Sequence, residues 1–410
     1  MLRELVAASH LMSMEQLPGA VARHAADAGL HGAVIYMADL QQTVLRLLTG
    51  TGRHVEHGAA PDPDPEPPEL AIDRTIAGRA FQTMEPLVGQ VFDDERCHYW
   101  VPILDGSERI GVIRVTIRAD DAKAKDDAEY LAGLVALMIV SKGPYSDSMS
   151  RLVRTRNMTV SAEMQWRLTP PMTFANDQVV ICGALEPAYM LGGDAFDYTL
   201  GDDTVHLAIF DAMGHDTTAG LTSSLAVAAC RNYRLQGAGL VGTGQAIEET
   251  LIEQERDGRF VTAVLMELDL QSGVLSWITH GHPAPVIIRG GRWVSTLECR
   301  PGTPLGTGLG VVPELCSEQL EPGDRILLYS DGIVEARDPN KQEFGLQRFV
   351  DFIIRSNAAG RAVPETLRRL VRSILEHHAG RLDDDATVLL LEWHGPPEMP
   401  KDAMAPMRQT

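Results

Sequence analysis

The stretch AIFDAMGHD, residues 208–216, determines how the second half of the chain is interpreted. An apolar run that favours a β-strand ends at Asp211, and a turn containing His215 follows directly. A single aspartate at such a place is common, because its short side chain accepts hydrogen bonds from turn amides. Asp211 indicates a functional site only if other strands also carry an acid at one end.

Three other apolar runs place an aspartate at one end. RILLYSDG reaches Asp331, LGGD places Asp194 after a strand and a turn, and RLDDDATVLLL places Asp384 just before a strand. If these strand ends converge with Asp211, carboxylates crowd one end of a core, and their repulsion is costly unless cations neutralise it. Oxygen-only ligands suit hard divalent ions such as Mg²⁺ or Mn²⁺. For any one acid alone, the turn interpretation remains the simpler one.

Residues from about 178 to 393 alternate strand-like and helix-like segments. Apolar strand runs include QVVICGAL, FVTAVLMELD, VLSWITH and ATVLLLEW, and between them lie helical stretches such as TTAGLTSSLAVAACRNYR and PETLRRLVRSILEHH. Continuous apolar runs indicate strands covered on both faces. The pattern predicts a layered α+β fold in which helices flank sheets.

Taken together, the segments EPAYMLGGDAFDY, AIFDAMGHD, FVTAVLMELDLQSGVLSWITHGHPAPVII, LEPGDRILLYSDGIVEARD and DDDATVLLL resemble the metal-dependent PPM-type serine/threonine phosphatases. The bacterial branch similar to stage II sporulation protein E matches best, over roughly residues 160–393. The resemblance implies an α-β-β-α sandwich with two divalent cations, Mn²⁺ or Mg²⁺, between its sheets. It also implies phosphoester hydrolysis by a water that the two cations activate.

The resemblance assigns a role to each metal-binding position. Asp211 would bridge the two cations, and the backbone carbonyl of Ala212 would be a further ligand. Asp194 would serve the second cation, directly or through water. Asp331 and Asp384 would complete the first cation's ligands.

Four further residues near these motifs have weaker assignments. His215 and His282 are candidates for the catalytic residue that protonates the leaving oxygen, although HGHPAP also suits a tight turn. Asp385 stands where an acid or amide is usual in the family. Asp197 is expected to be a supporting residue.

Residues 1–142 form a separate region that resembles a GAF-like α/β sensory domain. The resemblance rests on GRAF followed by PL, and on VPIL and ERIGVIRV before a closing helix. It implies ligand sensing or dimerisation without naming a ligand. The proline-rich acidic segment 59–70 predicts an exposed loop. Cys97 precedes His98, as in some bilin-binding relatives, but a plain structural thiol is the favoured interpretation.

Between these domains, residues 143–170 predict a linker or signalling helix. Met149, Val153, Val160, Met164 and Leu168 fall at helical spacing. One interpretation packs this helix on its own domain, and another pairs two chains into a homodimer. The phosphatase domain is expected over 171–394, and a disordered tail over 395–410.

Composition limits the partners and the compartment. Lys plus Arg number 36 and Asp plus Glu 56, for a formal net charge of −20, which argues against nucleic acid or anionic membrane as partners. The five cysteines are odd in number and widely spaced, which indicates unpaired thiols rather than disulfides or a zinc site. With no signal-peptide pattern, a cytoplasmic location is predicted.

The sequence therefore predicts a phosphoserine/phosphothreonine protein phosphatase. The resemblance implies a phosphorylated anti-sigma-factor antagonist as substrate, with regulation by the GAF-like domain. The alternative is a catalytically silent, phosphatase-like signalling or binding module, but aspartates at all four matched positions favour an active enzyme. A nucleotide cyclase output would need nucleotide-binding motifs that the sequence does not show.

Overall fold

The computed structural model describes residues 2–50, 66–92, 95–190, 192–254, 258–335, 343–378, 382 and 384–396 of the 410-residue chain. The chain divides into two compact units, Met1–Asn157 and Met158–Thr410. Among the described residues, no helix combines the length and the apolar character needed to cross a bilayer.

The first unit is built on an antiparallel sheet with the strand order β3-β2-β1-β6-β5-β4. Its elements are α1 (Leu2–Ser9), α2 (Leu17–Ala26), β1 (His31–Ala38), β2 (Val44–Leu47), β3 (Glu69–Ala71), α3 (Ile76–Thr83), β4 (Leu87–Val91), β5 (Arg96–Asp105), β6 (Glu108–Arg118), α4 (Ala122–Lys142) and α5 (Asp147–Val153).

Alternation along the central strands gives this sheet two apolar faces. Ile35 of β1 packs with α1, α2 and α4, whereas its neighbour Tyr36 packs with Phe81 of α3. Cys97 is fully buried among the first set, and burial raises the pKa of its thiol, as expected for a structural cysteine. The GAF assignment stays a prediction. Of the expected loop 59–70, residues 59–65 lie outside the described residues, as does most of the tail 395–410.

The second unit contains a five-stranded sheet, β15-β12-β11-β10-β9, and a six-stranded sheet, β14-β13-β16-β17-β8-β7. Its elements are α6 (Val160–Leu168), β7 (Thr173–Ala175), β8 (Val179–Glu186), β9 (Asp194–Leu200), β10 (Thr204–Ala212), α7 (Thr217–Leu235), α8 (Leu240–Gln254), β11 (Val261–Asp269), β12 (Val274–His280), β13 (Val286–Arg289), β14 (Arg292–Thr296), β15 (Cys316–Gln319), β16 (Arg325–Tyr329), α9 (Asp331–Val334), α10 (Leu346–Ala358), α11 (Val363–His377) and β17 (Ala386–Trp393).

The two sheets of the second unit pack face to face, with helices on both outer faces. Phe196 and Met266 of the five-stranded sheet share a core with Leu328 and Leu389 of the six-stranded sheet. The outer face of the five-stranded sheet is covered by α7 and α8, and that of the six-stranded sheet by α10 and α11. The layered α+β fold predicted for this region is therefore confirmed.

Residues 143–170 do not form the one linker helix that was predicted. Helix α5 ends before Arg154, which is extended, and α6 begins after Thr159, whose side chain accepts a hydrogen bond from the Ala162 amide. Met149 packs on the core of the first unit, while Ala162 lies in the core of the second. The apolar stripe is thus divided between the two units.

One cysteine pair corrects the expectation that all cysteines are unpaired. Cys299 and Cys316 form a disulfide, with Cα atoms 6.1 Å apart and a sequence separation of 17. The connection after β14 brings Cys299 next to Cys316 at the start of β15. The spacing of the two cysteines in the sequence does not predict this approach. Cys97, Cys182 and Cys230 are buried thiols that take no part in this disulfide, as predicted.

The two sheets approach closely at Gly183 of β8. A Cβ atom at this position would lie 2.2 Å from Cζ of Phe196 on the facing sheet, well inside contact distance. Only a residue without a side chain fits here unless the ring or a strand moves.

We predict that Gly183→Ala destabilises the second unit by about 1–3 kcal/mol, because the added methyl overpacks the core. Chemical denaturation followed by tryptophan fluorescence measures the change. Gly201→Ala is the matched control, since its Cβ would meet its nearest neighbour at an ordinary 3.6 Å. Equal stability of the two variants would contradict this account of the sheet packing.

Candidate active site

Two of the predicted site acids lie on neighbouring strands of the five-stranded sheet. Asp194 is the first residue of β9, and Asp211 is the second-to-last residue of β10. The two are direct partners in the antiparallel register. Ala212, the predicted carbonyl ligand, follows Asp211 as the last residue of the strand.

The other two acids lie at the ends of neighbouring strands of the six-stranded sheet. Asp331 follows β16 by two residues, and Asp384 precedes β17 by two residues. Tyr329, the last residue of β16, pairs with Val388 near the start of β17, so both acids fall at the same end of this sheet.

The acids of the two sheets lie near enough to repel one another. Burial, followed by repulsion from Asp331, Asp384 and Asp385, raises the pKa of Asp211 to about 7. Burial and then repulsion from Asp211 and Asp385 raise the pKa of Asp194 well above its usual value. Each acid disfavours the ionisation of its neighbours, as expected for carboxylates that share one site.

A hydrogen bond from Ser330 connects the two sheets at this point. Its hydroxyl donates to Oδ2 of Asp194 at 2.6 Å and accepts from the Thr387 amide at 2.9 Å. Ser330 has no exposed surface, so neither bond competes with bulk water. Sequence reasoning did not identify this residue, although its place beside Asp331 in YSD was a usable signal.

Asp385 points inward and organises the backbone around Asp194. Its Oδ2 accepts hydrogen bonds from the amides of Gly192 at 2.7 Å and Asp194 at 3.3 Å. Burial raises the pKa of Asp385 to about 6 despite these hydrogen bonds. Asp384 is exposed, so the two consecutive acids have different environments.

The double glycine before Asp194 is required by close contact. Neither Gly192 nor Gly193 is among the glycines with positive φ. A Cβ at Gly193 would lie 2.2 Å from the carbonyl oxygen of Ala212, and one at Gly192 would lie 2.6 Å from Cα of His215. The glycines therefore allow this turn to press against the strand end that carries Asp211.

The two histidine candidates differ sharply in environment. His282 is buried, and its Nε2–H donates to the Tyr329 carbonyl at 3.1 Å. Its Nδ1 accepts from the Thr262 hydroxyl at 2.8 Å, and burial lowers its pKa to about 4. A neutral imidazole with both nitrogens engaged holds β11 to β16 and is not available as a proton donor. His215 is exposed on the turn after Asp211.

Asp197 does not join the acid cluster. It forms ion pairs with Arg231 at 2.6 Å and Arg234 at 3.1 Å, both on α7. Its side chain is almost completely buried, which makes it an attachment point for the helix rather than a cation ligand. This supporting role agrees with the expectation from sequence.

The donor set suits divalent cations in its chemistry. Carboxylates and the Ala212 carbonyl are the oxygen donors that Mg²⁺ and Mn²⁺ prefer. Within the described parts of the chain, however, no three Asp, Glu, His or Cys side chains form a ready-made ion site. Asp194 is instead held by Ser330. Cations would have to draw the carboxylates together against their mutual repulsion.

We predict that the metal-free protein loses stability as pH rises from about 4 to about 7. The pKa of Asp211 is raised on folding, so the folded state gains a proton, and this contribution is complete below the unfolded pKa of about 4. It disappears as pH rises through the folded pKa of about 7. Unfolding midpoints in chelator give the measurement.

The control for this prediction compares two substitutions. Asp211→Asn should reduce the pH dependence, whereas Asp202→Asn, at an exposed position in the β9–β10 turn, should leave it unchanged. Identical pH profiles for the wild type and Asp211→Asn would show that Asp211 is not in this environment.

Comparison with known proteins gives this cluster a family context. Residues 201–394 match the family model described as Stage II sporulation protein E. The chain is 23% identical over 333 residues to Protein IcfG of Synechocystis sp., covering 71% of this chain and 51% of that protein. It is 24% identical over 222 residues to Phosphoserine phosphatase RsbU of Bacillus subtilis, covering 52% of this chain and 64% of RsbU. The chain thus spans between half and two thirds of each relative's length.

Solved structures give similar matches. The SiaA-PP2C domain of Pseudomonas aeruginosa aligns with a TM-score of 0.48 and 18% identity, covering 62% of this chain and 99% of that one. The PP2C domain of SpoIIE from Bacillus subtilis, with a regulatory fragment, aligns with a TM-score of 0.40 and 20% identity, covering 53% and 63%. The family match and the homology to RsbU show that residues 201–394 belong to the stage II sporulation protein E family, within the PPM phosphatases.

Proposed function

We propose that the second unit is a metal-dependent phosphatase that acts on phosphoserine or phosphothreonine in proteins. The observation that carries this proposal is that Asp211 pairs with Asp194 on the neighbouring strand and is repelled by Asp331 and Asp384 of the other sheet. Burial and mutual repulsion raise the pKa of three of them. Such a cluster is costly without countercharge, and divalent cations supply it. Homology to a phosphoserine phosphatase supports the same activity.

The residues have distinct tasks in this proposal. Asp211 would bridge two cations, with Asp331 and Asp384 on one side and Asp194 and the Ala212 carbonyl on the other. When bound, the cations supply an activated water nucleophile and a clamp for the phosphate. Ser330 and Asp385 orient Asp194 through its carboxylate and its amide. His282 fixes Tyr329, two residues before Asp331.

For the substrate, we propose a phosphorylated anti-sigma-factor antagonist. The support is the family resemblance together with the similarity to RsbU, a phosphoserine phosphatase. The first unit would then act as a GAF-like sensory domain that regulates dephosphorylation. The support from the fold is an antiparallel sheet that carries helices on both faces.

A catalytically silent binding module is the second candidate. It is favoured by the finding that, among the described residues, the acids do not already form an ion site. The two candidates differ in whether cations bind. Calorimetric titration with Mn²⁺ separates them, because a silent module of this kind would give no binding isotherm.

We predict Mn²⁺-dependent release of phosphate from p-nitrophenyl phosphate by the full chain. Asp211→Asn and Asp331→Asn should each lower the rate by about 100-fold or more, because each removes a cation ligand. Asp202→Asn is the matched control and should retain activity. Unchanged rates in the first two variants would contradict the ligand assignment.

A second prediction concerns His215 as the proton donor. If its imidazole protonates the leaving oxygen, His215→Ala should slow hydrolysis of a phosphoserine peptide by about 100-fold, the scale of general acid catalysis. Hydrolysis of p-nitrophenyl phosphate should change little, because the aryl oxygen leaves as a stable anion. Equal losses on both substrates would show that His215 acts in some other way.

A further inference from the structure

Gln165 of α6 makes the most direct contact between that helix and the turn before Asp194. Its side chain is buried, with 3% of its surface exposed. The amide Nε2 donates one hydrogen bond to the Gly192 carbonyl at 2.8 Å and another to the Ser223 hydroxyl of α7 at 2.8 Å. Both N–H groups of the amide are therefore used.

The Gly192 peptide continues this connection to the acid cluster. Its amide donates to Asp385 Oδ2 at 2.7 Å. The next residue, Gly193, accepts a hydrogen bond from the Ala212 amide at 3.1 Å and packs against the Ala212 carbonyl. One short turn thus touches Gln165 on one side and the predicted cation ligands Asp194 and Ala212 on the other.

The fit around Gly192 leaves little freedom for this turn. A Cβ at Gly220 of α7 would lie 2.1 Å from the Ser161 hydroxyl of α6 and 3.1 Å from the Gly192 carbonyl. The Ser161 hydroxyl itself lies 3.4 Å from that carbonyl. The Gly192 carbonyl is therefore enclosed between two helices, and the side chains of α6 determine where it sits.

Within the described residues, the buried amide of Gln165 forms hydrogen bonds only through its N–H groups. In that part of the chain its Oε1 has no hydrogen-bond partner. An unsatisfied buried carbonyl destabilises a fold, so an apolar residue of similar shape would suit packing better. The two donated hydrogen bonds must then offset that cost, which indicates a positioning role.

We propose that Gln165 is a positioning residue that sets cation affinity by holding the Gly192–Gly193 turn. With the turn in place, Asp194 and the Ala212 carbonyl can face the same cation. This inference rests on the proposed function, because it assigns Gln165 a task at the cation site. It also gives α6, the first helix after the boundary at Asn157, a direct connection to that site.

The test compares Gln165→Met with Trp166→Phe in the full chain. Methionine keeps the length of glutamine and removes both donors. Trp166→Phe removes a hydrogen bond from the neighbouring residue of the same helix to the Ala188 carbonyl, at 2.7 Å. Both variants lose contacts of α6 with the β8–β9 connection, but only the first loses contact with Gly192.

We expect Gln165→Met to weaken Mn²⁺ binding about tenfold in calorimetric titration, the scale found when residues that orient metal ligands are changed. The Mn²⁺ concentration for half-maximal p-nitrophenyl phosphate hydrolysis should rise by the same factor, with kcat at saturating Mn²⁺ little changed. Trp166→Phe should match the wild type in both measurements, even if both variants lower the unfolding midpoint in chelator.

Two results would overturn the inference while the proposed function stands. One is wild-type Mn²⁺ affinity in Gln165→Met, and the other is an equal loss of affinity in Trp166→Phe, which would indicate general loosening of α6. A wild-type protein that binds no Mn²⁺ would instead contradict the proposed function and this inference with it.

Discussion

Repulsion among carboxylates at one end of the second unit is the constraint on which its site depends. Asp194 and Asp211 come from one sheet, and Asp331 and Asp384 from the other, so packing the sheets brings like charges together. Folding alone places these acids where ionisation is disfavoured. The hydrophobic core between the sheets must oppose this repulsion. Divalent cations would remove it, and the proposed chemistry would then also affect the stability of this end of the fold.

Hydrogen bonds around the acids keep them from separating. Ser330 crosses from one sheet to Asp194 on the other, and His282 ties Thr262 beside Asp211 to Tyr329 near Asp331. These residues hold the strand ends in register but leave lone pairs of the carboxylates for a ligand. Gln165 and Asp385 act on the same region through the Gly192 peptide. The strand ends that carry the acids are therefore held by hydrogen bonds within the protein, although cations would still have to draw the carboxylates together.

Much of this arrangement could be predicted from sequence, because acids at the ends of apolar runs leave a local signal. Asp194, Asp211, Asp331 and Asp384 were found in this way, and the layered fold followed from the strand and helix patterns. What sequence could not supply were contacts between distant segments. Ser330 and Gln165 look like ordinary polar residues until the packing shows which groups they meet.

Two other differences between the predictions from sequence and the structure have the same physical origin. The disulfide between Cys299 and Cys316 depends on the connection from β14 to β15 bringing the two cysteines together, which residue spacing does not encode. The linker was predicted as one helix from its periodicity, but Thr159 begins a new helix, and each half packs on its own unit. In both places the local sequence allows several backbone conformations of similar free energy, and tertiary contacts select one of them.

We propose that the four aspartates together hold two cations, with Asp211 shared between them. Anomalous scattering from crystals soaked in Mn²⁺ is the decisive measurement. We expect two peaks about 3.5–4 Å apart beside the Asp211 carboxylate, the spacing typical of two-metal hydrolases. Absence of peaks at saturating Mn²⁺, or a single ion bound away from Asp211, would rule out this site.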